Sequence, residues 1–169
     1  EFNPAQIPIT IEVDKNLLKC GMIANYPLAI ADTVLDLSFV SMGNPHAVCF
    51  VKDSVNDFPL AIYGPLVEKN NIFPQQTNFE IARIIDKTKI EMRVWERSVG
   101  ETLACGSGAC AVTVAGWILG YITNFLTIRL PGGELEAEWQ GPGEEVYLTG
   151  EAQIVFKGNW PDQIILKRI

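Results

Sequence analysis

Between Leu35 and Val40 apolar residues alternate with Asp36 and Ser38, and between Ala47 and Val51 the chain is apolar throughout. The turn-forming run Met42-Gly43-Asn44-Pro45 separates the two stretches, so the pattern predicts two strands and a tight turn. Ile7–Val13 alternates after Pro8 and predicts another strand, as does Phe79–Asp86. Ile90, Met92 and Val94 alternate with Glu91, Arg93 and Trp95, the period-2 signature of a strand with one wet face. Gly64-Pro65 followed by Leu66–Asn71 places a proline at a first helical position and predicts a short helix over 65–70. Ala109–Ile122 is interrupted only by Thr113; a helix apolar on every side is enclosed by protein. Further strands are expected over 127–130, 135–139, 146–148 and 153–156, separated by Pro131-Gly132-Gly133 and Gly141-Pro142-Gly143. One wholly apolar helix among roughly nine short strands predicts an α+β fold. The sheet is expected to be antiparallel or mixed and rolled around that one central helix.

At 169 residues the chain has the length of one domain, 1–169. Glu1–Gln6 reads as a linker remnant with no secretory signal, and 158–169 as a tail. The net charge of −7 comes without a basic stripe, which argues against nucleic acid and against anionic lipid. Ala109–Ile122 is shorter than the roughly 20 residues needed to span a bilayer, so no membrane association is expected. The four cysteines form no CxxC pair, which suggests free thiols in a reducing, cytoplasmic setting. A single histidine, His46, excludes any metal site built on two histidines, and no metal is expected.

That scarcity sharpens the candidate chemistry. Cys105 lies at the foot of the apolar helix, within Ala104-Cys105-Gly106-Ser107-Gly108. A helix N-terminus presents unpaired N–H groups and positive partial charge, and both lower a thiol pKa. The amides of Gly106, Ser107 and Gly108 form a seat for an anion. The plainer alternative is a glycine-rich turn with a small buried cysteine. Asn44 and His46 fall in the tight turn, where they either bind a ligand and exchange protons or serve only as turn and surface residues. Glu96-Arg97 ends the alternating strand, as a solvated end or as a clamp for an amino acid, with arginine taking its carboxylate. Asn78 is equally a turn residue or a ligand contact.

Taken together these segments resemble the diaminopimelate epimerase family. The matching runs are Ser41-Met42-Gly43-Asn44-Pro45-His46-Ala47, Phe73-Pro74 and Thr77-Asn78-Phe79-Glu80, together with Leu130-Pro131-Gly132-Gly133. The most specific run is Trp95-Glu96-Arg97-Ser98-Val99-Gly100-Glu101-Thr102-Leu103-Ala104-Cys105-Gly106-Ser107-Gly108-Ala109. The resemblance implies cofactor-free inversion of one stereocentre of diaminopimelate by two cysteines on opposite faces of the α-carbon. It implies a role in lysine and peptidoglycan precursor biosynthesis. Cys105 is then the second catalytic cysteine, with Glu96 and His46 tuning or relaying its proton. Asn44, Asn78, Glu96 and Arg97 hold the far end of the substrate, and the amides of Gly106 and Ser107 hold the carboxylate beside the reacting carbon.

The sequence departs from the family pattern at Ser98, usually glycine, and at Ser107, often threonine. It also lacks the Cys-Gly-Asn-Gly turn of the family's N-terminal domain. Cys20-Gly21-Met22 shares two letters with that turn and precedes no apolar helix. Cys49 reads as a buried thiol in a strand. Cys110, five residues past Cys105, points about 140° away round the helix and reads as core. The chain is therefore expected to be the C-terminal half of such an enzyme, inactive alone, its partners being the missing N-terminal domain and, in the full enzyme, a second copy in a homodimer. Three other functions remain open: a related cofactor-independent racemase or isomerase, a non-catalytic amino-acid-binding or interaction module, and a cysteine hydrolase using Cys105 and His46.

Overall fold

The computed structural model describes residue 16 and residues 18–159. The strand expected over 7–13, the segment 1–6 and residues 160–169 lie outside the described residues. Ten strands form one sheet: β1 (Leu18–Lys19), β2 (Met22–Ile30), β3 (Thr33–Ser41), β4 (Pro45–Phe50), β5 (Asn78–Asp86), β6 (Lys89–Glu96), β7 (Gly100–Thr102), β8 (Phe125–Leu130), β9 (Gly133–Trp139) and β10 (Val146–Gly150). Among the described residues two α-helices, α1 (Leu60–Glu68) and α2 (Gly106–Ile118), complete an α+β fold.

The strand order is β1-β2-β3-β4-β5-β6-β8-β9-β10, with β7 paired to β6. β4 runs parallel to β5, and β6 parallel to β8; all other pairs are antiparallel. A parallel pair needs a crossover, and α1 and α2 lie in these two connections. Successive side chains of a strand face opposite sides of the sheet. Val40, Val48, Ala82, Met92 and Val94 accordingly join one core with Ala109, Val112 and Ala115 of α2. Leu37, Phe39, Ala47, Phe79 and Ile81 join a second core with Leu60 and Val67 of α1. α2 touches β3, β4 and β5 as well as β9 and β10.

Three boundaries differ from expectation. α1 begins five residues early and carries Pro65 inside it. Gly64-Pro65 is no helix start; Gly64 is there because a Cβ would lie 2.4 Å from the Trp95 ring. α2 starts at Gly106, so the small residues before Ala109 are its first turn, and it ends at Ile118. There Gly120, at φ +76°, closes a Schellman motif: its N–H bonds Trp117 O and that of Tyr121 bonds Gly116 O, both 2.9 Å. Residues 153–156 form no strand. β10 pairs with β9, no further strand joins it among the described residues, and Ile154, Val155 and Phe156 stand exposed. β1, β2 and β7 were not anticipated; β2 contains Pro27 and Asn25 at φ +51°, and a register shift interrupts its pairing with β3.

Candidate functional site

Strand alternation gathers the polar residues at one end of the sheet. His46, the second residue of β4, lies beside Asn78, which opens β5, and the parallel register pairs the two directly. Two residues on, Glu80 sits opposite Val48 and Val94, on the side of the sheet covered by α2. Glu96 ends the antiparallel neighbour β6 near the same end. Cys105, in extended conformation (φ −141°, ψ 112°), is the N-cap of α2.

A line of hydrogen bonds connects these elements. Glu80 Oε1 lies 2.6 Å from His46 Nδ1, and both side chains are fully buried. His46 Nε2 lies 3.0 Å from Asn44 Oδ1. Asn44 Nδ2 donates to Ser107 Oγ at 3.4 Å, and Ser107 Oγ lies 3.5 Å from Cys105 Sγ. His46 is therefore no surface residue: it is 1 % exposed.

Asn78 is also more than a turn residue. Buried at the head of β5, it donates from Nδ2 to Pro45 O at 3.0 Å and accepts the Arg97 N–H at 2.9 Å. It thus ties the Asn44–His46 corner to the Glu96–Arg97 corner. Glu96 accepts from the Thr102 hydroxyl at 2.5 Å. The Arg97 guanidinium donates to Gln75 O at 3.1 Å and pairs with no carboxylate among the described residues. Glu68, at the end of α1, accepts from the Trp95 indole at 2.7 Å and from the Ser98 amide at 2.8 Å, which fixes the turn after Arg97. Ser98 adopts φ +64°, so the serine occupies a left-handed position that glycine takes without strain.

At the head of α2, the first intrahelical acceptor is Cys105 O, taken by the Ala109 N–H at 2.9 Å. The Gly108 amide turns to the Cys105 sulfur. Gly106 and Ser107 lie in the first turn, where amides have no acceptor within the helix. The Cys105 thiol is not acidified as expected. Burial pushes its pKa above the ordinary thiol value, the Ser107 hydroxyl and the Gly108 amide pull it down, and the carboxylates of Glu80 and Glu96 push it up. Cys49, buried in β4, is pushed up to about 12 by burial and by Asp36. Cys110 is half-buried rather than core, with its thiol also raised by burial. Cys20 is exposed, at the turn before β2.

Sequence reasoning assigned no role to Glu80 or Glu68. The available signal was a single carboxylate inside the apolar run Phe79-Glu80-Ile81-Ala82, at a position whose strand neighbours face a core.

The diaminopimelate epimerase family model matches residues 38–155, which include the whole of this constellation. The diaminopimelate epimerase of Halothermothrix orenii is 45 % identical over 157 residues, covering 93 % of this chain and 52 % of that protein. That of Carboxydothermus hydrogenoformans is 45 % identical over 159 residues, covering 94 % and 54 %. That of Desulfovibrio desulfuricans is 42 % identical over 160 residues, covering 95 % and 55 %. The chain thus spans about half the length of these curated relatives. With a thiol at a helix N-terminus, an acid–imidazole pair behind it and a family match running through both, the chain belongs to the diaminopimelate epimerase family.

Proposed function

We propose that this chain is the C-terminal half of a diaminopimelate epimerase and supplies one of two proton-transferring thiols. In this reading the sheet rolls around α2 and aims its N-terminal end at a second domain, which carries the other cysteine. One thiolate removes the α-proton and becomes a thiol; the other thiol delivers a proton to the opposite face and becomes a thiolate. No cofactor enters that balance. The raised Cys105 pKa fits a group that starts as the acid, its proton tuned or relayed by Glu96 and His46. The open amides of Gly106 and Ser107 would hold the carboxylate next to the reacting carbon. Asn44, Asn78, Glu96 and Arg97 would hold the distal amino-acid end, with the guanidinium, which donates to Gln75 O, taking its carboxylate.

The observation that carries this reading is the Cys105 thiol at the head of α2, joined through Ser107 and Asn44 to the buried His46. Val99, Leu103 and Tyr147, all exposed apolar side chains, fit a face that the missing half covers. The reading places the whole enzyme in the cytoplasm as a homodimer, making precursors of lysine and peptidoglycan. Among the described residues no helix is long and apolar enough to cross a membrane.

A thiol at one helix end serves one face of a carbon only, so this chain alone should not epimerise. The test is solvent deuterium incorporation into LL-diaminopimelate, first with this chain and then with the upstream half added. Activity is expected only in the mixture, and its loss with Cys105→Ala. Incorporation by the chain alone at the rate of the mixture would overturn the two-thiol reading.

A further inference from the structure

The loop between β6 and β7, residues 97–99, carries Arg97, and each of its three amides has an acceptor. The Val99 N–H donates to Glu96 O at 3.1 Å, which closes the hairpin. The Arg97 N–H donates to Asn78 Oδ1 at 2.9 Å, and the Ser98 N–H to Glu68 Oε1 at 2.8 Å. The first bond lies within the hairpin and sets its shape. The other two go to β5 and α1 and set where the loop points. Asn78 already belongs to the substrate-contacting set proposed above, whereas Glu68 does not.

Glu68 holds the loop from both sides. Its other oxygen, Oε2, accepts from the Trp95 indole at 2.7 Å. One carboxyl group thus joins the residue before Glu96-Arg97 to the residue after it. Glu68 is 3 % exposed, while Ser98 and Val99 lie at the surface, so the anchor is internal and the part it holds faces outward. α1 itself docks through Leu60 and Val67 in the second core, so the bonds of Glu68 are not what seats the helix. They hold Ser98 at φ +64°, a left-handed conformation that is unfavourable for a residue with a Cβ.

We propose that Glu68 is a positioning residue for the distal end of the substrate. It does not touch the substrate; it fixes the loop so that the Arg97 guanidinium meets the distal carboxylate in bidentate alignment. The inference rests on Arg97 taking that carboxylate, as in the reading above. Arg97 contacts the end that is not inverted, and such a contact is made alike before and during proton transfer. Its loss therefore raises KM and leaves kcat. Glu68→Gln keeps the shape but replaces one acceptor oxygen with an NH2 group, which only donates. One of the two N–H groups facing it then loses its partner.

The experiment joins steady-state epimerisation by the assembled two-half protein to amide hydrogen exchange, followed by NMR, in this chain. Glu68→Gln is expected to raise KM about tenfold and to leave kcat within about twofold. In an Arg97→Lys background the same substitution should change KM by less than about twofold, because the contact it positions is already lost. Equal effects in the two backgrounds, or a fall in kcat with KM unchanged, overturn the proposal. In this chain alone the Ser98 amide should exchange about tenfold faster in Glu68→Gln, while the amides of β5 and β6 exchange as before. Trp95→Phe, which deletes the indole N–H and keeps an aromatic ring, is the second variant should Glu68→Gln not fold. It is expected to raise KM about threefold, and an unchanged KM there overturns the proposal. Failure of the wild-type assembly to epimerise overturns the functional reading and this one with it; unchanged exchange at Ser98 overturns this one alone.

Discussion

At the scale of single residues, Cys105 shows how opposing effects decide a thiol's state. The helix end and the Ser107 hydroxyl favour the thiolate, yet burial and two carboxylates outweigh them and the pKa rises. Alkylation of Cys105, followed by mass mapping across pH, should therefore have its midpoint above the ordinary thiol range. Glu96→Gln removes one of the repelling charges and should move that midpoint down. A midpoint that stays or rises would mean that Cys105 does not feel Glu96. Cys20, which is exposed, should alkylate before Cys105 at neutral pH. Arg97 makes a different demand. Its backbone is held by Asn78 while its guanidinium meets no carboxylate among the described residues, so the fork is positioned and available. In the assembled two-half protein Arg97→Lys keeps the charge but loses bidentate geometry. A loss of about 1.5–3 kcal/mol in transition-state binding is expected, read from kcat/KM. A change within twofold would make Arg97 an ordinary strand end.

Elements were legible where their signal is local. The alternation of Ile90, Met92 and Val94 places β6, and the uniform apolarity of Ala109–Ile118 places most of α2. Glycine misleads because its meaning depends on what stands opposite. Gly106 and Gly108 read as a turn preceding α2, yet they form its first turn, and Gly64 reads as the residue before a helix that in fact already runs through it. The partner explaining Gly64, Trp95, lies 31 positions along the chain, and no local pattern reveals it. Separations of 27 and 30 positions likewise hide Glu68, whose carboxylate gathers the Trp95 indole and the Ser98 amide only once α1 has docked. Gly64→Ala tests this link between α1 and the Arg97 corner. A methyl 2.4 Å from ring carbons must displace the indole or the helix. The expected cost is about 1–3 kcal/mol in urea unfolding, as for other overpacked cores. A cost under about 0.5 kcal/mol would show that Trp95 has room to move and does not lock the corner.

For the whole molecule, the α+β class and the likeness to the epimerase family were readable, whereas the second core was not. A pattern with one wholly apolar helix suggests one core. α1 is shorter and mixed in pattern, and its role on the opposite face emerges only from the pairing that sends Phe39, Ala47 and Phe79 away from α2. Cys49 belongs to that second core, and its thiol ties the stability of the fold to alkaline pH. In the folded chain its pKa is about 12, against 9.0 for an ordinary thiol. Between these values the unfolded chain ionises Cys49 and the folded chain does not, so the unfolded state binds fewer protons. Stability from this group is complete below pH 9 and falls as pH rises towards 12, by about 1.4 kcal/mol per unit. Cys49→Val has a similar volume and nothing to ionise. Its unfolding free energy, compared with that of the wild type in urea at successive pH values, should be nearly level with it below pH 9. It should then exceed the wild type by a growing margin up to about pH 11. Parallel stability curves for the two proteins across that range would mean that Cys49 ionises without unfolding, and that the core around β4 is open to water.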